Sequence, residues 1–303
     1  MRSKYDLIIV GAGPAGLTAG IFAKRQGLHV MIFDNPEQPS NLAVSHVVEN
    51  YPGFEKIIGA ELLEKMRRQV ENLDVEIKYE KVISLSKDGL FVVCTTNEKY
   101  KAKTLILATG LKHRKANIPG EEKFFGRGVS YCATCDGPLF RGKNIAVIGG
   151  GDSAVKAVIA LKDLRVKKIY LIHRREQLRA DAYSGEKLRK TNVEIIWNSI
   201  VEEIAGKNFV ESITIKNVKN NKSEKIKVDG VFVEVGSIPA AELAKGIGVK
   251  FDKEGFIITN DKKETNIQGV FAAGDISTNQ WKQDVTAVAD GAVAALSAYR
   301  YIK

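Results

Sequence analysis

Only three cysteines occur in the 303 residues, too few for the disulfide framework of a small secreted domain. Histidine is almost as scarce, and the four present, at positions 29, 46, 113 and 173, have no spacing that matches a metal site, so no metal is expected. Long apolar runs are missing too. The longest, such as residues 7–10 and 105–108, are strand-sized and far below the ~20 residues of a membrane helix. Residues 1–4 lead directly into a predicted strand without a signal-peptide apolar core or cleavage site, so a cytoplasmic location and no membrane association are expected. Acidic residues are outnumbered, giving a net charge of +10, but the lysines lie singly or in pairs, often beside glutamates. That pattern reads as a solvated surface and not as a nucleic-acid face. A field of this sign would still speed encounter with an acidic protein partner.

What remains is ordinary globular material, 44% hydrophobic and long enough for two domains with separate cores. Residues 5–10 read as a buried strand, 14–26 as a helix and 28–33 as a second strand, together a βαβ unit. A hairpin is predicted from residues 82–85 and 90–94 around Asp88-Gly89, followed by a strand over 104–108. Cys94 falls in that hairpin and reads as a small buried core residue. The same order recurs later: a strand at 145–148, glycines, a helix near 153–164, a strand at 168–172, short strands, then a strand at 230–235. The last segment, 257–303, has no glycine fingerprint of its own. Its strand at 269–273 and its Ala/Val-rich helix over about 284–300 need a sheet to join, and returning to the first domain is the economical solution. Linkers are expected near 112–120 and 236–241, which carry proline and glycine.

Gly11-Ala12-Gly13-Pro14-Ala15-Gly16 follows a strand and opens a helix, the context of a dinucleotide fingerprint. Its glycines allow a tight turn and bring a pyrophosphate to free N–H groups at the helix N-terminus. Asp34 ends the next strand, where a carboxylate accepts ribose hydroxyls and repels a 2′-phosphate, so this site suits FAD or NAD. Gly149-Gly150-Gly151-Asp152-Ser153-Ala154 repeats the logic. Its second strand ends in His173-Arg174-Arg175, with Arg179 a turn further on, and guanidinium forks match the 2′-phosphate of NADPH.

Between the fingerprints lies Cys132-Ala133-Thr134-Cys135-Asp136-Gly137. Two cysteines three positions apart can close a small ring and reopen it, which suits electron exchange better than bracing. One thiolate must attack a substrate disulfide while the other receives electrons, and Asp136 can donate the proton. Half of a zinc site is the rival reading, and no second cysteine pair exists to complete it.

Taken with Val48-Glu49-Asn50-Tyr51-Pro52-Gly53, Ala108-Thr109-Gly110, the stretch from Gly126 to Gly137, and Gly269-Val270-Phe271-Ala272-Ala273-Gly274-Asp275, these motifs closely resemble the low-molecular-weight thioredoxin reductases, in order and over nearly the whole chain. The resemblance implies an α/β fold of two Rossmann-like domains: a discontinuous FAD domain (1–112 and 241–303) and an inserted NADPH domain carrying the cysteine pair (113–240). It implies FAD along Gly11, Gly13, Pro14, Ala15, Gly16, Asp34, Asn50, Ala108, Thr109, Gly110, Gly274, Asp275 and Gln283. NADPH would bind Gly151, Asp152, Ser153, Ala154, His173, Arg174, Arg175 and Arg179. Cys135 would face the flavin, Cys132 would attack the disulfide of thioredoxin or a thioredoxin-like protein, and Asp136 would act as general acid. A homodimer whose NADPH domain rotates is implied as well.

Two departures stand out. Pro39-Ser40-Asn41-Leu42 and Ala43-Val44-Ser45-His46 replace the family's Gly-Gly-Gln-Leu and threonine run, and Trp281-Lys282-Gln283-Asp284 brings a carboxylate near the expected flavin. A flavin-dependent dithiol oxidase, a disulfide reductase with another electron donor and a non-enzymatic redox sensor are the alternatives. Arg174 and Arg175 argue against the oxidase. Asp136 with two complete fingerprints argues for turnover, and against a sensor.

Overall fold

The structure, a computed structural model, describes residues 4–191 and 193–303. The expectation drawn from the first four residues rests largely on positions 1–3, which lie outside the described residues. The chain starts with β1 (Lys4–Val10), α1 (Pro14–Arg25) and β2 (Val30–Asp34), all ending within two residues of the bounds read from the apolar pattern. There follow α2 (Gly59–Glu71), β3 (Glu76–Tyr79), the hairpin of β4 (Val82–Asp88) and β5 (Leu90–Thr95), then β6 (Lys99–Leu107) and the short β7 (Leu111–His113). β6 begins five residues before the predicted strand, because its first half pairs antiparallel with β5. Cys94 does lie in the hairpin, but it corrects the expectation of a core residue. Side chains alternate along a strand, and Cys94 shares the half-buried face of β5 with Leu90 and Val92, while Phe91 and Val93 enter the core.

A second unit, His113–Ser237, begins here. Its elements are β8 (Val129–Ser130), the single turn α3 (Ala133–Asp136), β9 (Asn144–Gly149), α4 (Asp152–Asp163), β10 (Lys168–Ile172), α5 (Ala182–Arg189) and β11 (Glu194–Ile196). An antiparallel sheet of β12 (Ser199–Ala205), β13 (Ser212–Asn217) and β14 (Ser223–Lys227) precedes β15 (Gly230–Glu234). The main sheet of this unit is parallel, in the order β11-β10-β9-β15-β8. Strand order reverses between β9 and β15, and in open parallel sheets that reversal opens a crevice at the strand C-termini.

The chain then passes through β16 (Ser237–Pro239), paired with β7, and returns through α6 (Glu242–Lys245), β17 (Val270–Ala272) and α7 (Asp284–Ile302). β17 pairs in parallel with the second half of β6, Val270 opposite Leu105, so the C-terminal segment does complete the first sheet. That sheet runs β3-β2-β1-β6-β5-β4, with β17 beside the free half of β6. On one face Leu7, Ile9 and Ile32 pack with Leu17 of α1 and Ala294, Ala295 and Ala298 of α7. On the other, Ile8, Phe33, Phe91, Tyr100 and Leu105 form a second core. Among the described residues no helix is long and apolar enough to cross a membrane, and no cluster of three metal-ligating side chains occurs.

Candidate functional site

In the first unit the turn from β1 into α1 opens on a cavity of about 370 Å³. Gly11 sits at φ +113°, and a Cβ there would fall 2.2 Å from the Ala108 carbonyl oxygen, so glycine alone lets the chain turn against β6. At Gly16 a Cβ would fall 1.8 Å from the Gly11 carbonyl oxygen, which explains the third glycine as helix-on-strand packing and not as cavity wall. α1 starts on Gly13 without a side-chain cap and with Pro14 in its first turn, so its N-terminal amides remain available for an anion.

Of the expected flavin-site residues, Gly11, Gly13, Pro14, Ala15, Asp34, Ala108, Thr109, Gly110, Gly274 and Asp275 all line this cavity. Asn50 and Gln283 do not; they hydrogen-bond each other, Asn50 Nδ2 donating to Gln283 Oε1 at 2.9 Å, with Gln283 capping α7. The divergent segment is part of the wall all the same, through Pro39, Ser40, Asn41 and Leu42. Ser40 Oγ lies where a side chain at Gly13 would need room, 3.2 Å away.

The electrostatics of the cavity depend on residues that sequence reasoning missed. Arg67 of α2 donates to Asp34 Oδ2 at 2.8 Å and to the Tyr79 hydroxyl at 2.9 Å, fixing the carboxylate that closes β2. Desolvation opposes the Arg67 charge and these bonds outweigh it, holding the guanidinium above its ordinary pKa. Asp290 of α7, 6% exposed, accepts from Lys263 Nζ at 2.6 Å, Asn279 Nδ2 at 3.1 Å and the Gly274 amide at 3.3 Å, anchoring the Gly274-Asp275 turn. Burial pushes the Asp275 carboxyl up to about 6; Lys282 opposes this, and Asp284 and Asp290 reinforce it. Asp284, in the first turn of α7, also lines the cavity. The volume, the uncapped helix end and the cradle against Ala108 fit a bound dinucleotide such as FAD.

In the second unit α4 likewise starts on a glycine, Gly151, without a side-chain cap, and a Cβ at 151 would meet open space. Ser153 and Asp152 are exposed on its first turn, and Asp152 accepts from the Asp181 amide at 2.8 Å. Ala154 is buried, close to where a side chain at Gly149 would project. The predicted phosphate cluster divides. His173 is 6% exposed, its ring against Gly150 and its Nε2 2.9 Å from the Gln177 carbonyl oxygen, so it shapes the loop from within. Arg174, Arg175 and Arg179 are exposed and form no ion pair among the described residues, and the Arg179 amide ties the loop to the Gly150 carbonyl at 2.7 Å. Open amides beside free guanidinium groups fit a dinucleotide carrying an extra phosphate. Glu234, at the end of β15 opposite Gly149, was also missed.

Cys132 and Cys135 are joined as a disulfide, Cα atoms 5.3 Å apart. Cys132 is the N-cap of α3, and its Sγ accepts from the Cys135 amide at 3.1 Å. Cys135 is the more exposed of the two, and Asp136 is half-buried at the end of the turn. Just before the pair, the Tyr131 hydroxyl donates to the buried Glu121 at 2.6 Å, and Glu121 also accepts from the Ala116 and Ile118 amides. That network holds the approach to Cys132 in one conformation.

Comparison with known proteins agrees with this geometry. The sequence profile of the pyridine nucleotide-disulphide oxidoreductases matches residues 5–291. The chain is 40% identical to thioredoxin reductase of Treponema pallidum over 305 residues, 100% of this chain and 98% of the relative. It is 44% identical over 306 residues to a 34.2 kDa protein in the rubredoxin operon of Clostridium pasteurianum, 99% of this chain and 98% of the relative. The crystal structure of Lactococcus lactis thioredoxin reductase, in its FR conformation, superposes with a TM-score of 0.94 at 39% identity, covering 98% of this chain and 99% of that one.

Proposed function

The chain belongs to the pyridine nucleotide-disulphide oxidoreductase family, as a thioredoxin reductase-like member, and we propose from this premise that it carries electrons from NADPH to the disulfide of thioredoxin or a thioredoxin-like protein. FAD and NADPH are the cofactors of these reductases. In this reading Gly11, Gly13, Pro14, Ala15, Asp34, Ala108, Thr109, Gly110, Gly274 and Asp275 hold FAD, with Asn50 and Gln283 ordering one rim. Gly151, Asp152, Ser153 and Ala154 hold the NADPH pyrophosphate, and Arg174, Arg175 and Arg179 its 2′-phosphate, on a loop that His173 supports. FAD, when bound, supplies the two-electron relay between a dinucleotide and a dithiol.

The observation that carries the reading is Cys132 at the N-cap of α3, its sulfur accepting a backbone hydrogen bond. A backbone donor is thus set on the sulfur that, once reduced, would attack the partner's disulfide as a thiolate. The reduced pair works in two exchanges. The Cys132 thiolate attacks one sulfur of the partner's disulfide and forms a mixed disulfide, releasing the partner's other sulfur as thiolate. The Cys135 thiolate then attacks Cys132, restoring the internal disulfide and freeing the reduced partner, with Asp136 supplying a proton. The two electrons lost by the pair return from NADPH.

A homodimer in the cytoplasm completes the reading. The support for the dimer is a set of apolar side chains on the first unit, Val285, Val293 and Leu296 of α7 with Phe22 of α1, each at least 37% exposed.

Anaerobic titration of the flavoprotein tests the proposal. NADPH should bleach the flavin absorbance, and oxidised thioredoxin should restore it. No bleaching by NADPH, or restoration by oxygen as fast as by thioredoxin, overturns it.

A further inference from the structure

Glu234 is a carboxylate that the exchange chemistry does not use. It closes β15, paired with Gly149 of the second fingerprint across the point where strand order reverses, and its backbone carbonyl lies 2.3 Å from where a Cβ at Gly149 would be. The side chain keeps only partial access to solvent, and Ser153, in the first turn of α4, hydrogen-bonds it. Burial pushes its carboxyl up to about 7 against that bond. Other charged or titratable groups lie near this end of the sheet, among them Arg114, whose amide donates to the Gly236 carbonyl, and Asp136 of α3, which follows β8. Asp152 and Lys156 sit on α4, with Asp152 engaged by the Asp181 amide and Lys156 acting on Asp181. Tyr131 follows β8 and is committed to Glu121, and His173 follows β10 and is committed to the Gln177 carbonyl. None of them sets the charge of Glu234, which is governed by burial and Ser153.

A dinucleotide lies across such a crevice with its pyrophosphate at the helix N-terminus. Arg174 and Arg175 mark the adenosine half on the β10 side, so the nicotinamide half extends past the end of β15. Resting on the NADPH reading above, we propose that Glu234 senses the charge of the nicotinamide, ionising beside the cationic oxidised ring and holding its proton beside the neutral reduced one. The residue thereby favours the oxidised coenzyme increasingly as pH rises. It tunes the balance between coenzyme delivery and product retention, and is not itself a catalytic residue.

The test measures binding, not turnover. NADP⁺ and tetrahydro-NADP, a neutral analogue that cannot give up hydride, are titrated into the oxidised flavoprotein by calorimetry between pH 6 and pH 8.5. Both carry the same 2′-phosphate, so its own titration cancels in the ratio of their dissociation constants. The preference for NADP⁺ should grow about three- to tenfold across this range, as Coulomb's law gives for unit charges several ångströms apart at a partly solvated site. Glu234→Gln, which keeps the shape and a partner for Ser153, should flatten the ratio. Near pH 7, NADP⁺ binding should release a fraction of a proton more from the unmodified protein than from the variant, the 2′-phosphate contributing equally to both. A ratio that does not change with pH in the unmodified protein, or that changes equally in Glu234→Gln, overturns the assignment while leaving the NADPH reading intact. Failure of both nucleotides to bind overturns both.

Discussion

Removing Arg174 and Arg175 together should separate coenzyme recognition from every other property of the protein. Both side chains are exposed and form no ion pair among the described residues, so Arg174→Ala with Arg175→Ala should change folding stability by no more than about 0.5 kcal/mol. Any larger effect then belongs to the ligand. A charge-assisted contact to a phosphate contributes about 1.5–3 kcal/mol, and solvent exposure places each of these at the lower end. The pair is therefore worth about 3 kcal/mol, roughly two orders of magnitude in NADPH affinity. NADH has no 2′-phosphate and should shift by less than about threefold. Stopped-flow reduction of the bound flavin over a range of NADPH and NADH concentrations reads both numbers, with a thermal melt as the control for folding. Equal losses for the two coenzymes would show that the arginines act on the loop and not on the phosphate. No loss for either would make them solvated surface and send the search for the electron donor elsewhere.

Four further outcomes are expected. Cys132→Ser and Cys135→Ser should each abolish thioredoxin reduction while flavin reduction by NADPH persists, because one sulfur cannot complete the exchange; measurable turnover in either variant would refute the dithiol mechanism. Asp136→Asn should slow thioredoxin turnover by about 10²- to 10⁴-fold without slowing flavin reduction, and an unchanged rate would assign the proton to water or another group. Gly11→Ala should release FAD and destabilise the first unit, since its methyl would sit 2.2 Å from the Ala108 carbonyl oxygen; a yellow, stable variant on gel filtration would contradict the cradle. The Asp275 carboxyl titrates near 6 in the folded protein against 3.8 when unfolded, so the folded state binds the proton more tightly. Its contribution is fully present below pH 3.8 and is lost as pH rises to about 6. Flavin-free protein should therefore lose denaturation free energy across that window relative to Asp275→Asn, and parallel curves for the two would refute the assignment.

Local chemistry made much of this molecule legible. β1, α1 and β2 could be read because an apolar run, a glycine turn and a periodic helix follow one another within 31 residues, and the return of the last strand followed from the need to pair it. The same reasoning failed where partners are distant. α2 lacks a side-chain cap at Ile58, and its one local signal, the helical spacing of Leu62, Leu63, Met66 and Val70, went unread. Its Arg67 reaches Asp34 from 33 positions away, a pairing that exists only once helix and sheet have met. His173 looked like part of an outward basic cluster, because sequence gives no sign that the strand turns its ring inward over Gly150. Glu234 ends an apolar strand and reads as its polar boundary until the neighbouring glycines identify what it adjoins.

The pairing of β17 with β6 has a bearing on how the chain acquires its shape. Val270 and Leu105 are 165 positions apart, and the second unit, His113–Ser237, lies wholly between them. On an emerging polypeptide that unit is contiguous and can close its own cores first. The first unit must wait, with the second half of β6 lacking β17 and the far wall of its cavity, Gly274, Asp275 and Ala287, not yet synthesised. Closing so long a loop adds little to the entropy cost, since each doubling of length costs only about 0.6 kcal/mol, but it fixes the sequence of events. Flavin capture in the complete cavity has to follow synthesis of that wall, and the second half of β6 keeps an unpaired edge until β17 arrives.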